Sequence, residues 1–181
     1  MSTRSYSGTW ESRASSPTSE RVVVRQARAA DVDAILRLLA RVAGERRWLG
    51  TEPPLELEDR RRRYLANLEP GSGAGFVAYN ARKRLIGELS LWPADASTAV
   101  LGMIVAKRWR GRGVGRQLME TAVAWAKRVR LRRLELAVFP HNAAALALYR
   151  KFGFNEIAYQ ERAMPRKSGE VWDVILMRKE I

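Results

Sequence analysis

Three glycines, Gly111, Gly113 and Gly115, share the six-residue segment Arg110–Gly115 (RGRGVG) with two arginines. Glycine readily takes left-handed backbone conformations, so successive N–H groups in such a segment can converge on one anion. A helix that begins here adds its unpaired N–H groups and the positive end of its dipole. Arg110, Arg112 and Arg116 can add full charges, so the segment predicts a cradle for a phosphorylated ligand. The alternative is an ordinary glycine-rich turn in an arginine-rich chain.

A second group of polar residues lies downstream, where Asn142 and Tyr149 are seven residues apart. Seven residues make two helical turns, so on a helix both side chains lie on one face, on the order of 10 Å apart. Tyr149 can instead be an ordinary core aromatic. The neighbouring His141 is the only histidine of the chain, and we expect it to be a loop residue at the helix entry.

The apolar pattern predicts the elements that hold both groups. Residues 99–105 form a continuous apolar run, which is typical of a strand buried on both faces, and the glycine segment follows directly. The helix after it is predicted from apolar residues on one face, namely Val114, Leu118, Ala122, Trp125 and Val129. Alternation at 134–138 predicts the next strand, and Asn142–Phe152 is predicted to be a short helix ended by Gly153.

The other elements complete an alternating fold. They are a strand at 21–25, a helix capped by Asp31 and ended by Gly44, a helix at about 55–68 with the charged stretch 56–63 facing solvent, strands at 75–79 and 85–92, and a closing hairpin of 154–164 with 171–177. A helix connects the strands at 99–105 and 134–138, so these two are predicted to be parallel, whereas the hairpins imply antiparallel pairs. We therefore predict an α/β (α+β) fold with a mixed, mostly antiparallel sheet of six to seven strands and about four helices on both faces.

Composition limits the class of protein. A chain of 181 residues with 46% hydrophobic content predicts one globular domain at 21–181, after a polar segment at 1–20 that we expect to be a flexible tail. The absence of cysteine and the single histidine argue against a disulfide framework, a cysteine nucleophile or a zinc site, so no metal is expected. No apolar run approaches the roughly 20 residues that span a bilayer, and the start MSTRSYSGTW lacks an apolar signal core. We therefore expect no membrane partner and a cytoplasmic location.

The net charge of +14 attracts polyanions such as nucleic acid, an acidic membrane or a phosphorylated cofactor. The excess of basic residues is mostly arginine and is spread along the chain. A general bias of the amino-acid composition is therefore an alternative explanation for the positive charge. Because the basic residues form no stripe interleaved with aromatics, nucleic acid is not the expected partner.

Two segments carry a family resemblance. The strand–Arg-x-x-Gly-x-Gly–helix unit at 99–129 resembles the coenzyme-A-binding signature of the GCN5-related N-acetyltransferases (GNAT family). The segment Asn142–Phe154 (NAAALALYRKFGF) resembles the second signature of that family, at the expected distance from the first. The order of elements agrees from residue 21 to the end of the chain. The resemblance implies a sheet whose central parallel pair is splayed apart, and acetyl-coenzyme A as the co-substrate.

The resemblance also implies roles for individual residues. The implied cofactor-binding residues are Ile104, Val105, Arg110, Gly111, Arg112, Gly113, Gly115, Arg116 and Asn142. The pyrophosphate is expected at the glycine segment, and the pantetheine arm is expected to bond to the strand backbone as an added strand does. Tyr149 is implied as the general acid that protonates the leaving thiolate.

The general base is less clearly indicated, because many family members carry a carboxylate near the start of the strand before the glycine loop. Here the segment Ser97–Gly102 has neither Asp nor Glu. Glu88 on the preceding strand is the nearest candidate, with Asp95 and Glu52 as weaker ones; a solvent-facing strand residue is the alternative for Glu88. A water chain, or an amine that arrives neutral, can replace a dedicated base.

The resemblance implies direct acetyl transfer to a primary amine, which we expect to be a small molecule such as an amino acid or a related metabolite. Segments that border the acceptor cleft in this fold supply further candidates, which are Trp48, Glu52, Trp92 and Tyr159. The alternatives are a protein or peptide amine as acceptor, and a non-catalytic acyl-coenzyme A sensor or nucleic-acid-binding module on the same fold. A homodimer is compatible with the family, although no residue pattern demonstrates one.

Overall fold

A computed structural model describes residues 21–181, and the flexible tail predicted at 1–20 lies outside this range. The described elements are β1 (Val22–Gln26), α1 (Val32–Gly44), α2 (Leu57–Asn67), β2 (Ala74–Asn80), β3 (Leu85–Pro93), β4 (Thr98–Val105), α3 (Val114–Arg128), β5 (Arg133–Val138), α4 (Ala143–Lys151), β6 (Asn155–Pro165) and β7 (Val171–Glu180). Single turns of 3-10 helix at Ala29–Asp31 and Lys107–Trp109 precede α1 and α3. The predicted order of strands and helices is confirmed.

The strands form one seven-stranded sheet in the order β1-β2-β3-β4-β5-β7-β6. Neighbouring strands are antiparallel except β4 and β5, which are parallel because α3 carries the chain back across the sheet between them. The predicted mixed, mostly antiparallel sheet is therefore confirmed. No helix within residues 21–181 has both the length and the apolar character needed to cross a bilayer.

The parallel pair is joined over a short distance only. Thr98–Val100 pairs with Arg133–Glu135, although β4 continues to Val105 and β5 to Val138. Beyond the third pair the two strands diverge, and a wedge-shaped gap opens between their carboxyl ends. The central splay implied by the family resemblance is thus present in the sheet.

The prediction that 99–105 is buried on both faces is wrong. Ala99 and Leu101 are buried in the core beneath α3, whereas Val100 and Gly102 on the opposite face are exposed. On that face α1 covers only the end of β4 that carries Ile104. The face is left open where it forms part of a cavity described below.

The helices lie on both faces of the sheet, as predicted. On one face α3 and α4 pack against the sheet, and Leu118, Met119 and Ala122 of α3 are fully buried there. Burial of one such large aliphatic side chain contributes about 1.5–3 kcal/mol. On the other face α1 packs with Tyr64 of α2 against β2, β3 and β4. Val129, predicted on the buried face of α3, is instead 44% exposed because it follows the last turn of the helix.

Asp31 does not cap α1 with its side chain, contrary to the prediction. Its carboxylate accepts hydrogen bonds from the Arg28 N–H (2.7 Å), the Arg25 guanidinium (2.7 and 2.8 Å) and the Tyr79 hydroxyl (2.7 Å). The side chain therefore stabilises the 3-10 turn before α1 and ties it to β1 and β2.

Candidate functional site

Two cavities meet at the splayed strands. The larger cleft, about 810 Å³, lies between the end of β4, the start of α3 and one face of α4. The smaller cavity, about 450 Å³, lies between β3, β4, α2 and the loop around Leu49–Thr51. Leu49, Met103 and Ile104 line both, so the two cavities adjoin at this point of β4.

The glycine segment forms the predicted turn at the rim of the larger cleft. Gly111 (φ +72°) and Gly113 (φ +80°) are left-handed, and a Cβ at either position would meet nothing within 4 Å. The backbone conformation, rather than a lack of space, therefore requires glycine there. Gly115 differs, since a Cβ on it would lie 3.2 Å from the Leu148 side chain and would crowd α3 against α4.

This turn leaves backbone donors available. Gly113 is the N-cap of α3 and offers no side chain to cap it, and the Gln117 N–H donates to the Gly113 carbonyl oxygen (3.1 Å). The N–H groups of residues 114–116 precede this bond and have no partner inside the helix. These groups and the helix dipole are suited to an anion, and Gly111, Gly113, Gly115 and Arg116 line the cleft at this point.

The predicted arginines have different surroundings. Arg116 lines the larger cleft and donates to Glu120 (2.8 Å). Arg112 lies outside the cleft lining, with its guanidinium 5.7 Å from the centroid of the Trp109 ring. Sequence reasoning missed a further cation on this lining, Lys151 in the last turn of α4.

Arg110 lines the larger cleft but also holds the fold together. Its guanidinium makes two 2.7 Å hydrogen bonds to Glu45, and its Nε donates to the Val105 carbonyl oxygen (3.0 Å). The hydrogen bonds from Arg110 lower the pKa of Glu45, so this carboxylate stays ionised. Arg110 therefore ties the end of α1 to the end of β4, and its contact with a ligand stays a prediction.

The register of β4 decides which of its backbone groups face the gap. The Ala106 N–H donates to the Ile86 carbonyl oxygen (2.8 Å), and hydrogen-bonded pairs alternate along an antiparallel ladder. The backbone of Ile104, paired with Glu88, is consequently directed at β3. The backbones of Met103 and Val105 are directed at the gap. Sequence reasoning named Val105 but missed Met103, because the register of β3 is needed to tell the two directions apart.

Asn142 and Tyr149 both lie along α4 at the larger cleft. Asn142 is the N-cap, and its side-chain oxygen accepts from the Ala145 N–H (3.3 Å). The Tyr149 ring is 7% exposed and packs 5.8 Å from the ring of Phe154. Burial raises the pKa of Tyr149 to about 12, so its phenol keeps the proton at neutral pH.

Glu88 lies at the floor of the smaller cavity and is 2% exposed, so the alternative of a solvent-facing strand residue is wrong. Burial raises the pKa of Glu88 to about 8, although the hydrogen bond from the Ser90 hydroxyl opposes the shift. Glu88 pairs directly with Ile104, where the two cavities join. A buried carboxyl group with a raised pKa thus lies beside the point where the two cavities adjoin.

Tyr149 and Glu88 belong to opposite layers of the molecule. Tyr149 is part of the core between the sheet and helices α3 and α4. Leu89 and Leu91 face that same layer, so Glu88 faces the layer of α1 and α2, because side chains alternate along a strand. A group held in the gap between β4 and β5 would have the Tyr149 phenol toward one layer and the Glu88 carboxyl group toward the other.

The remaining candidates divide into two sets. Trp48 lines the larger cleft and Trp92 lines the smaller cavity. The others line neither and are engaged elsewhere: Glu52 with Arg166, Tyr159 with Asp173, Asp95 with Ser97, and His141 with the Arg47 carbonyl. These four have contacts that account for them without a ligand.

The stretch 56–63 is not wholly a solvent face, contrary to the prediction. Arg60 and Arg63 line the smaller cavity beside Tyr64. Their spacing of three residues puts them on one side of α2, but the sequence does not show which side faces the sheet. Gly102 is a further lining residue that sequence reasoning missed.

Comparison with known proteins identifies relatives of this arrangement. The family model described as Acetyltransferase (GNAT) family matches residues 37–154. The chain is 28% identical over 160 residues to the L-methionine sulfoximine/L-methionine sulfone acetyltransferase of Pseudomonas paraeruginosa, covering 86% of this chain and 92% of that protein. It is 34% identical over 88 residues to the L-amino acid N-acetyltransferase AaaT of Escherichia coli, covering 48% of this chain and about half (54%) of that protein.

A solved structure extends the likeness to nearly the whole described chain. The crystal structure of ribosomal-protein-alanine N-acetyltransferase from Brucella melitensis superposes with a TM-score of 0.80 at 25% sequence identity. The match covers 88% of this chain and 99% of that one. These relatives are named for both small and protein acceptors.

Proposed function

Because the chain belongs to the acetyltransferase (GNAT) family, we propose that it transfers the acetyl group of acetyl-coenzyme A to the primary amine of a small molecule such as an amino acid. The observation that carries the proposal is the junction at Met103 and Ile104, where a cleft with a protonated phenol meets a cavity with a buried carboxylate. The relatives named for amino acids and methionine sulfoximine support a small acceptor.

The larger cleft has the donors that acetyl-coenzyme A requires. Its anionic end fits the left-handed glycines and the unpartnered N–H groups at the start of α3. Its extended arm fits the backbone groups of Met103 and the N–H of Val105, which face the gap as the edge of an unpaired strand does, whereas the Val105 carbonyl oxygen already accepts from Arg110. Bound there, acetyl-coenzyme A supplies the thioester whose carbonyl carbon the amine attacks.

Glu88 and Tyr149 then divide the proton transfers between them. The carboxylate of Glu88 takes a proton from the incoming ammonium, which gives the nitrogen the free electron pair that forms the new N–C bond. Tyr149 donates its proton to the sulfur as the C–S bond breaks, and the second proton that the nitrogen loses on becoming an amide restores the phenol. A base with a pKa of about 8 is matched to this task near neutral pH, since it is both partly ionised and sufficiently basic.

Release of free coenzyme A tests the proposal. A thiol reagent should report it across a panel of amino acids, polyamines, antibiotics and peptides, with no background because the chain has no cysteine. Release with an amino acid or another small amine is the expected result. Binding of acetyl-coenzyme A without release with any amine would contradict the proposal and favour the sensor reading. Salt-dependent RNA binding in that case would favour the nucleic-acid module.

The glycine turn yields a prediction on cofactor affinity. Gly113→Ala is expected to weaken acetyl-coenzyme A binding about tenfold, because alanine at a left-handed position costs about 1–2 kcal/mol and displaces the N–H donors. Gly71→Ala is the matched control, since Gly71 is also left-handed (φ +82°), has nothing within 4 Å of a Cβ and lines neither cavity. Calorimetric titration measures both. Equal affinity in the two variants would refute the cradle.

The smaller cavity yields a prediction on acceptor size. Gly102 is not left-handed, and a Cβ would meet nothing within 4 Å, so a larger side chain projects into the cavity. Gly102→Val is expected to lower kcat/KM for the acceptor about 10- to 100-fold, the steric cost being about 1–3 kcal/mol. The KM for acetyl-coenzyme A should not change. Gly44→Val, at an equally open position outside both cavities, is the control, and a loss of equal size there would contradict the prediction.

A further inference from the structure

Four consecutive arginines on α2 have two kinds of surroundings. Arg61 forms an ion pair with Asp33, and Arg62 forms one with Asp59 (3.4 Å). Within residues 21–181 neither Arg60 nor Arg63 forms an ion pair, and these are the two that line the smaller cavity. The cavity wall therefore carries two guanidinium groups that have no ion-pair partner in the described part of the protein.

Neutral groups are the neighbours of both guanidinium groups, with Arg60 half-buried and Arg63 exposed at the cavity rim. Arg60 donates from Nη2 to the Thr51 hydroxyl (3.2 Å), and the Arg63 guanidinium lies 5.9 Å from the centroid of the Trp92 ring. A guanidinium has five N–H donors, and a single hydroxyl contact or an aromatic face leaves most of them unused. Within the described residues most of these donors have no acceptor, so they can bind an anion at the cavity.

The floor of the same cavity has the opposite character. Glu88 is buried there, next to Leu89 of the apolar core in β3, and its carboxyl group forms no ion pair within residues 21–181. A ligand complementary to this cavity has a basic nitrogen at the floor and an anionic group toward α2. An amine that carries no acid group would leave the two arginines without a partner.

We propose that Arg60 and Arg63 form an anion subsite, so that the acceptor is an amine that also bears a carboxylate or a comparable anionic group. This inference rests on the proposed acetyl transfer and narrows its acceptor. The amine of a peptide or a protein chain has its neighbouring carboxyl group tied up in an amide. The subsite therefore favours free amino acids over peptides as acceptors.

Paired substrates test the subsite. Coenzyme A release is measured for each L-amino acid and its α-carboxamide, which tests recognition of the α-carboxylate. It is also measured for glutamate against glutamine and for aspartate against asparagine, which tests recognition of a side-chain carboxylate. The acid is expected to exceed its paired amide in kcat/KM by about 10- to 100-fold, as expected for a hydrogen bond to a charged group. The α-amide has the less basic amine, so such a preference cannot come from easier deprotonation.

Variants locate the effect on α2. Arg60→Gln with Arg63→Gln is expected to raise the KM of the preferred acid about 10- to 100-fold and to leave its amide and acetyl-coenzyme A unaffected. Arg62→Gln is the matched control, because Arg62 is on the same helix but pairs with Asp59 and lies outside the cavity lining. Calorimetric titration of the preferred acid into the coenzyme A complex should show the same loss of affinity without turnover.

Each outcome decides between the two proposals. Equal use of acids and amides by the wild type, preference for peptides, or an equal loss in the Arg62 variant would overturn the anion subsite and leave acetyl transfer standing. Failure of every amine to release coenzyme A would overturn acetyl transfer, and the subsite with it. A preference for acids over amides that disappears only in the double variant of Arg60 and Arg63 supports both proposals.

Discussion

Replacement of Tyr149 by Phe is expected to lower kcat about 100-fold or more, the usual contribution of a positioned general acid. The ring remains, so its packing against Phe154 in the core is kept, and only the hydroxyl is lost. Without a donor at the sulfur, the leaving group departs as an unprotonated thiolate. The dissociation constant of acetyl-coenzyme A should stay within about twofold, because the hydroxyl is assigned to the reaction rather than to binding.

The same substitution elsewhere is the control for this prediction. Tyr79→Phe also removes one hydroxyl from a packed ring, and it breaks a hydrogen bond to Asp31 remote from both cavities. The free energy of unfolding of that variant should be about 1 kcal/mol lower, and its kcat should equal that of the wild type. Coenzyme A release gives kcat for both, and calorimetry gives the affinity. Unchanged kcat in Tyr149→Phe would remove the tyrosine from the mechanism.

Replacement of Glu88 by Gln is expected to lower kcat/KM about 100-fold and to change its pH dependence. The carboxylate is the active form of the base and exists above its raised pKa of about 8. Wild-type activity should therefore rise with pH until about 8 through ionisation of Glu88. Glutamine does not titrate, so the rise in kcat/KM that comes from ionisation of Glu88 should be absent from the variant. Any rise with pH that persists comes from deprotonation of the acceptor amine. An identical limb in both proteins would show that Glu88 is not the base.

Stability provides a second measurement on Glu88 that does not depend on catalysis. The pKa rises from the ordinary carboxyl value of 4.5 in the unfolded chain to about 8 in the folded protein. The contribution of the neutral carboxyl group to the free energy of unfolding is fully present below pH 4.5 and is lost as the pH rises through 8. Urea denaturation should find that Glu88→Gln gains stability over the wild type across this interval. A pH-independent difference would contradict the burial of Glu88.

The order of elements could be predicted from the sequence because each depends on a local pattern. Alternation marks β5, the helical period marks α1 and α3, and a capping Asn142 with a closing Gly153 bounds α4. The left-handed turn at Gly111 and Gly113 follows from residue type alone. These features need no knowledge of what packs against them.

The orientation of side chains within the site could not be predicted in this way. Arg110 meets Glu45, which is 65 residues away in sequence, and such a partner is defined only by the tertiary fold. The burial of Glu88 depends on the cover that α1 and α2 supply from outside the strand. The direction of the Met103 backbone depends on the register with β3, and a shift of one residue would reverse it.

The three residue pairs between β4 and β5 have a mechanical consequence. In the part of the chain described, they are the ladder that joins a four-stranded half-sheet, β1 to β4, to a three-stranded half-sheet, β5 to β7. So short a ladder supplies few hydrogen bonds between the halves, which are joined mainly by the core beneath α3 and α4, to which both contribute. A molecule that bonds to both free edges would add hydrogen bonds across the gap. Filling the cleft would therefore strengthen the coupling between the unfolding of one half and that of the other.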